Sequence, residues 1–479
     1  MLKLTNTLSH QKESFVAIEE QKKSVGMYSC GPTVYDYPHI GNLRKYIFDD
    51  ILRRTLEFGG YTVHHVINIT DFGHLSDDAD AGEDKMTKGL LREGKPLTMA
   101  AMKELADFYA SAFKNDIEKL NVELPEVMPK ASEHVDEDIS LIQRLESRGF
   151  IYKTSDGLYF DTSKFPQYGV LGGINKDAAE DQSRIQINSE KKTPKDFAVW
   201  KFSAPDSTLG FQSPWGKGFP GWHIECSAMS LKYLGHTYDS GHFDSGTTQT
   251  IDIHTGGIDH ISVHHNNEIA QSEAATGIPF VKYWLHENFL NIDNTKISKS
   301  LRNTYTLKDL ENENISPLAY RYWLLTAKYS SPVNFTWDAV KGAQNAYERL
   351  VDSMRGLGTQ TEIPADAAYI QKFTDFIEDD LDTPKALALV WELLKDSSIK
   401  DEVRRNTLLE FDKVLGLDLS KVQNKADFEI PENIQQLILE REESRKNKDF
   451  KKSDELRDKI IEFGFEIKDT ESGTSISKK

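Results

Sequence analysis

Two periodicities run through the apolar positions of this chain, and the switch between them outlines its first elements. Val25 to Tyr28 is a short apolar run that predicts a buried strand, ending at Cys30. Gly31-Pro32 then opens a loop carrying His39-Ile40-Gly41-Asn42. After it Leu43, Ile47, Phe48, Ile51, Leu52 and Leu56 recur at helical spacing, up to the stop at Gly59-Gly60. Tyr61 to Ile69 predicts a second strand, with His64 and His65 as structural histidines inside it. Asp77 to Lys88 reads as a solvated acidic loop. Gly82 sits where a calcium loop would turn, but Ala79 and Ala81 fall at ligand positions and Lys88 replaces the closing Glu. Met99 to Leu120 predicts a long amphipathic helix.

Pro125 and Pro129 mark a change of texture: a helix over Ser132 to Ser147, a hairpin turning at Ser155-Asp156-Gly157, and a polar stretch through Lys195. This pattern predicts an insertion between two halves of one sheet. Gly216 to Gly221 spells G-x-G-x-x-G, but no strand precedes it and a Pro lies inside it, so it is not a dinucleotide fingerprint. Trp222 to Cys226 leads into a helix ending near Leu234-Gly235. Thr250 to His254 predicts a strand, a helix starts near Ser262, and Tyr283 to Leu290 predicts another strand. Lys296-Ile297-Ser298-Lys299-Ser300 is a loop with two lysines, and from Pro317 the pattern is almost wholly helical.

At 479 residues the chain predicts two to four domains. A net charge of -18 argues against a protein that coats nucleic acid indiscriminately, while leaving room for a local basic groove. No stretch approaches the roughly 20 apolar residues of a membrane span. Met1 to Thr5 lacks a secretory apolar segment, so a cytoplasmic protein is expected. The two cysteines, Cys30 and Cys226, are read as core thiols, a catalytic thiol or metal ligands.

The strand, loop and helix around His39 form the opening unit of a nucleotide-binding α/β sheet, where a helix N-terminus and small polar side chains meet phosphates. His264 and Glu268, four residues apart, share one helix face, and with Cys30 and Cys226 they make a donor set suited to zinc; His265 points about a quarter-turn away and is the poorer candidate. Core cysteines beside an ordinary surface His-Glu pair are the plain alternative. The two lysines of KISKS can neutralise charge developing on a triphosphate.

HIGN followed far downstream by KISKS resembles the paired signatures of class I aminoacyl-tRNA synthetases. MYSCGPTVYDYPHIG, NITD, DFAVWK, PGWHIECSAMS, DIHTGG and HHNNEIAQSE resemble cysteinyl-tRNA synthetases in particular, and the likeness runs on through the closing DTESGT. The resemblance implies a Rossmann-like α/β catalytic domain with an inserted α+β subdomain, followed by an all-α helical bundle and a small C-terminal anticodon-binding domain. The implied bounds are 1–120 and 201–305 for the catalytic halves, 121–200 for the insertion, 306–420 for the stem-contact region and bundle, and 421–479 for the anticodon domain. It implies one active-site Zn2+ on Cys30, Cys226, His264 and Glu268, binding the substrate cysteine thiolate, with Mg2+ accompanying ATP. His39, Asn42, Lys296 and Lys299 would be catalytic. Gly41, Gly257 and Asp259, with His39 and Lys299, would bind ATP, and Gly31, Thr33, Trp222 and His254 the amino acid. The partners implied are ATP, L-cysteine and tRNA(Cys), the last also meeting a basic face of Arg441, Arg445, Lys446, Lys448, Lys451 and Lys452, and a monomer is expected.

The chain departs from the family pattern at several positions. Asn42 stands for a second His, Thr255 for a Gly, Asn266 for a Glu and Ile476 for a Trp; Ile258, His260, Ser262 and Val263 also differ, and the loop Phe72 to Lys85 is longer than usual. His260 is a rival ligand lying before the helix. The remaining readings are a cysteine-activating ligase acting on a small amine, a nucleotidyltransferase of the same sheet type, and a non-catalytic paralogue that binds tRNA or zinc. The helical tail argues against the first, Cys226 and Glu268 against the second, and the retained ionisable groups of both signatures against the third.

Overall fold

The computed structural model describes residues 1–73, 84–172, 189–239, 241–297, 303–422, 431–470 and 473–478. At its centre is a four-stranded, all-parallel sheet in the spatial order Val281–Glu287, Ile251–Gly257, Ser24–Ser29, Thr62–Ile67. The helix Ile40–Phe58 follows the first strand and buries Leu43, Ile47, Phe48, Ile51, Leu52 and Leu56, the positions whose period predicted it. The chain then moves outward to Thr62–Ile67 on one side of Ser24–Ser29 and later returns to Ile251–Gly257 on the other. The direction of winding therefore reverses between these two central strands, and the crevice for a ligand lies outside their C-terminal ends, at Cys30 and Gly257.

An antiparallel sheet of Ile151–Lys153, Gly157–Phe160, Phe197–Phe202 and Gly218–Pro220 adjoins it in sequence. Its last strand lies past residue 200; three residues holding a Gly and a Pro are too few to show a strand period. The decoy glycines serve close packing: a β-carbon at Gly218 would stand 2.1 Å from Lys201 O, and one at Gly221 2.1 Å from Ala198 O.

The structure corrects several boundaries. The acidic loop does not reach Lys88: Asp84 caps a helix over Lys85–Arg92, accepting from Met86 N and Thr87 N at 2.9 Å each, while positions 74–83 lie outside the described residues. A 3-10 turn at Ile258–His260 delays the next helix to His264. The strand expected to run to Leu290 ends at Glu287, and Leu290–Ile292 pairs instead with Val333–Phe335, which interrupts the helical pattern. The N-terminal hairpin Lys3–Asn6 with Gln11–Ser14 carries too weak an alternation to be read from sequence.

Helices Leu307–Asn312, Pro317–Leu325, Trp337–Gly356, Ala367–Ile377, Thr383–Lys395 and Asp401–Leu415 make up the next region, the last stopped by Gly416 at φ 62°. Residues Val422–Lys479, with Met354–Thr359, form a second compact unit. In it the helices Glu432–Lys446 and Phe450–Glu462 pack with a hairpin, Phe465–Thr470 and Gly473–Lys478, over Ile434, Ile460, Phe465 and Ile467. Ile476 packs against that core. Arg441 is buried at 2% exposure, so it leaves the basic face, which keeps Arg445, Lys446, Lys448, Lys451 and Lys452 at the surface. No described helix is long and apolar enough to cross a membrane.

Candidate metal and nucleotide site

Cys30 leaves the first strand, Cys226 lies on the helix Trp222–Tyr233, and His264 and Glu268 stand one turn apart on His264–Thr276. Their ligand atoms lie within 4.8 Å of one another, and all four residues are buried. The backbone after Cys30 is held by Asn68: Gly31 N donates to Asn68 Oδ1 at 2.8 Å, and a β-carbon on Gly31 would fall 1.4 Å from Asn68 O, so only glycine fits there. Lys45 Nζ donates to Cys30 O at 2.7 Å and ties the turn to the following helix.

Glu268 is clamped from two sides, with Oε2 3.1 Å from His254 Nε2 and Oε1 3.1 Å from His264 Nε2. Burial works against its charge, but the two imidazoles win and hold its carboxyl at about 2. The thiols go the other way. Burial pushes Cys30 up, and the hydrogen bond with Cys30, together with burial, pushes Cys226 well up. His264 Nδ1 is 2.7 Å from His223 Nδ1, whereas its buried Nε2 makes no hydrogen bond of acceptable geometry among the described residues. Two thiols, an imidazole nitrogen without a hydrogen bond and a carboxylate facing one point form a donor set that a zinc-like cation would complete.

His265 comes closer than its helix position implied. Its Nε2 is 3.4 Å from Cys30 Sγ and its Nδ1 2.7 Å from His286 Nε2, so Cys30, His254, His265 and Glu268 form a second group within 4.8 Å. His286 lies on a separate strand with no motif around it to signal a role, whereas His223 stands three residues before Cys226 in the PGWHIECSAMS stretch. His260 enters neither group, although its ring centroid is 4.8 Å from that of His264.

The two signature stretches meet at the helix N-terminus. His39 is the N-cap of Ile40–Phe58: its Nδ1 accepts from Asn42 N at 3.1 Å, while Asn42 Oδ1 accepts from His39 N at 3.2 Å. With Nδ1 accepting, a neutral ring carries its proton on Nε2. Ile40 N donates to Tyr305 O at 2.7 Å, and Ile297 lies against Gly41. Lys296 is exposed, its Nζ 5.4 Å from the Phe289 ring centroid, whereas Lys299 lies outside the described residues. Trp222 packs on His264 at 4.5 Å between centroids, and His254 is fully buried, stacked on Trp284 at 4.6 Å. Thr33 pairs with Thr70, and Gly257 ends its strand beside Asp259.

The family of class I (C) tRNA synthetase catalytic domains matches residues 16–345. A cysteine–tRNA ligase of Treponema denticola is 44% identical over 510 aligned positions, covering 100% of this chain and 99% of its own. The chain belongs to the class I cysteinyl-tRNA synthetase family. Cysteine–tRNA ligase 1 of Burkholderia lata is 42% identical, covering 98% of this chain and 96% of its own. Among solved structures, a Mycobacterium tuberculosis methionyl-tRNA synthetase with methionyl-adenylate shares the fold at TM-score 0.56 and 17% identity, covering 82% of this chain and 90% of its own. An Agrobacterium radiobacter LeuRS does so at TM-score 0.57 and 11% identity, covering 85% of each chain.

Two departures from the pattern of cysteinyl-tRNA synthetases find a structural partner. Thr255 Oγ1 donates to Asp49 Oδ1 at 2.6 Å and lies 2.7 Å from Ser29 Oγ, joining both central strands to the helix that His39 caps. Asn266 Nδ2 donates to Ile261 O at 2.6 Å and its Oδ1 accepts from Leu171 N at 3.2 Å, so it fastens the loop before the histidine helix.

Proposed function

We propose that this chain activates L-cysteine with ATP and transfers it to the 3′ end of tRNA(Cys). A cysteine carboxylate oxygen attacks the α-phosphorus and pyrophosphate leaves; a terminal ribose hydroxyl then attacks the acyl carbon and AMP leaves. The observation that carries the reading is the convergence of Cys30, Cys226, His264 and Glu268 within 4.8 Å, in a chain of this family. These four residues would hold a zinc ion, which supplies a Lewis acid for the substrate thiolate. A pocket measuring size alone separates cysteine from serine by only on the order of 10 to 200-fold. A donor set chosen for thiolate chemistry discriminates by ligand softness instead, and needs no editing site.

The chain's other residues position and neutralise. His39, through Nε2, and the Asn42 amide meet the phosphates at the helix N-terminus, with Lys296 and Lys299 facing the charge that grows on the leaving pyrophosphate and Mg2+ arriving with ATP. Gly41, Gly257 and Asp259 seat the nucleotide. Trp222 walls the amino-acid pocket beside His264, Gly31 and Thr33 line it, and His254 orients Glu268 at its rear. The antiparallel sheet serves as the connective subdomain, the helices after residue 306 as stem contact, and the C-terminal unit, with exposed Arg445, Lys446, Lys448, Lys451 and Lys452, as the anticodon reader. The state we infer is a cytoplasmic monomer.

The test is ATP-dependent transfer of labelled cysteine to total tRNA, with serine in parallel. Acid-precipitable cysteine without serine is the expected result. Cysteine-stimulated pyrophosphate exchange without labelled tRNA would replace this reading by a ligase acting on a small amine; silence in both assays would replace it by a non-catalytic RNA-binding protein.

A further inference from the structure

A relay of hydrogen bonds leads from the candidate metal site to the N-terminal hairpin. His265 Nε2 lies 3.4 Å from Cys30 Sγ and 3.9 Å from Glu268 Oε1. Its other nitrogen, Nδ1, is 2.7 Å from His286 Nε2, and His286 Nδ1 is 2.7 Å from Thr7 Oγ1, just past the strand Lys3–Asn6. Both rings are buried. The relay has a direction. A thiolate and a carboxylate that hold a cation only accept hydrogen bonds, so the imidazole nitrogen facing them is the one that carries the proton. A neutral imidazole has a single N–H. With Nε2 of His265 protonated, its Nδ1 accepts, His286 donates through Nε2, and His286 Nδ1 accepts in turn. Among the described residues Thr7 Oγ1 is the hydrogen-bond partner of that last nitrogen, and a hydroxyl can donate to it.

The opposite direction would aim a lone pair of His265 at Cys30 and offer it to the cation as a ligand. Cys30, His254, His265 and Glu268 form the second group with ligand atoms within 4.8 Å, and it shares Cys30 and Glu268 with the first. The proton on His265 therefore decides between the two donor sets. The Thr7 hydroxyl is not needed to dock the hairpin: Thr7 N donates to Trp284 O at 2.8 Å, Trp284 N to Asn6 Oδ1 at 3.0 Å, and Thr5 N to Asp380 Oδ1 at 2.8 Å. We infer that Thr7 is a positioning residue for the metal site: its hydroxyl donates to His286 Nδ1 and, through His286, holds the proton of His265 on Nε2, where it donates to Cys30 and keeps His265 out of the donor set. This rests on the zinc site proposed above and adds a residue outside it. Each hydrogen bond polarises the next, so a donor two rings away strengthens the last bond of the relay. Valine has the shape of threonine without the hydroxyl; serine keeps the hydroxyl.

The experiment uses the full chain as wild type, Thr7→Val and Thr7→Ser, each carrying nitrogen-15 histidine and loaded with zinc. The nitrogen chemical shifts tell a protonated ring nitrogen from a bare one, and a His265→Gln sample assigns the signals. In the wild type and in Thr7→Ser, His265 should show a protonated Nε2 and a bare Nδ1. In Thr7→Val its shifts should move toward the average of the two proton placements. Competition with a chromophoric chelator should read zinc bound about threefold to tenfold more weakly in Thr7→Val, less than for a residue that touches a ligand directly, and within about twofold of wild type in Thr7→Ser. A bare Nε2 in the zinc-loaded wild type, or wild-type shifts in Thr7→Val, would overturn the inference; weaker zinc with wild-type shifts would make Thr7 a packing contact. Should Thr7→Val fail to fold, Thr7→Ala carries the same comparison. A wild type that takes up no zinc would refute the proposed site itself, whereas a zinc-loaded wild type with a bare Nε2 would refute only the role of Thr7.

Discussion

A side chain cannot be added to Gly41 without displacing Ile297, because a β-carbon built there would stand 2.6 Å from Ile297 Cδ1. This contact joins the first turn of the helix that His39 caps to the start of the lysine loop, the two stretches proposed above to meet the phosphates. Gly41→Ala should therefore turn the Ile297 side chain aside at the start of the lysine loop. We expect cysteine-dependent pyrophosphate exchange to fall at least about tenfold, with the melting temperature little changed. Gly41→Ala combined with Ile297→Val, which removes the opposing methyl, should recover most of the rate; no recovery would mean that Gly41 acts through something other than this contact.

Metal analysis of the purified chain should find roughly one zinc per chain, lost in Cys226→Ser and in His264→Ala. His254 Nε2 lies 3.1 Å from Glu268 Oε2 and would orient that ligand. Its replacement by Leu should leave the stoichiometry intact and weaken zinc affinity about 10 to 100-fold, as for other residues that orient a ligand. Competition with a chromophoric chelator reads both. Unchanged affinity in His254→Leu would show that Glu268 holds its orientation unaided.

Arg321 is fully buried and joins three parts of the first unit: Nη2 to Asp50 Oδ2 at 2.5 Å, Nη1 to Leu120 O at 3.1 Å, and Nε to Leu415 O at 2.8 Å. Arg321→Met leaves Asp50 with Arg54 Nε at 2.7 Å as its remaining ion pair and strips the buried Leu120 and Leu415 carbonyls of their donor, and should cost about 3 kcal/mol in denaturant unfolding. Arg321→Lys should restore only part of it, since an ammonium cannot span these acceptors.

Asp412 accepts from Leu417 N at 2.6 Å and Leu419 N at 2.7 Å, yet burial holds its carboxyl at about 6. A folded-state value above the unfolded value of about 3.9 means that the unfolded chain ionises first. The stability this group contributes is therefore complete below about pH 4, falls as pH rises to about 6 and stays level beyond. Asp412→Asn should gain on the wild type by on the order of 2 kcal/mol across that window, over a constant offset from the changed acceptor. A difference that does not vary with pH would refute the shift.

Family membership was legible in the sequence, because it is carried by ordered short motifs that survive without knowledge of contacts. The helix from Ile40 was legible through its apolar period and its glycine stop, and the first strand through a run long enough to bury. Short strands without a turn signal beside them were not: Gly218–Pro220 and Val333–Phe335 exist because a neighbouring strand supplies their hydrogen bonds, whereas the equally short hairpin Ile151–Lys153 with Gly157–Phe160 was legible through its Ser155-Asp156-Gly157 turn. The C-terminal hairpin was hidden similarly, since its sequence is polar around Phe465, Ile467 and Ile476, which pack in the core.

The sequence by itself determined which residue types are available for the chemistry: two thiols, a His and a Glu one helical turn apart, and paired lysines after a capped helix. Local spacing settles such matters, because residues three or four apart on a helix must share a face. Only the tertiary structure decided which histidines surround Glu268 and Cys30. His254 and His286 come from neighbouring strands, His223 and His265 from two helices, and their meeting depends on strand order and helix packing. The same holds for Glu287: being paired with Gly257 across a parallel ladder, with its Oε2 3.5 Å from Arg44 Nε, is a property of register and burial, which no motif encodes.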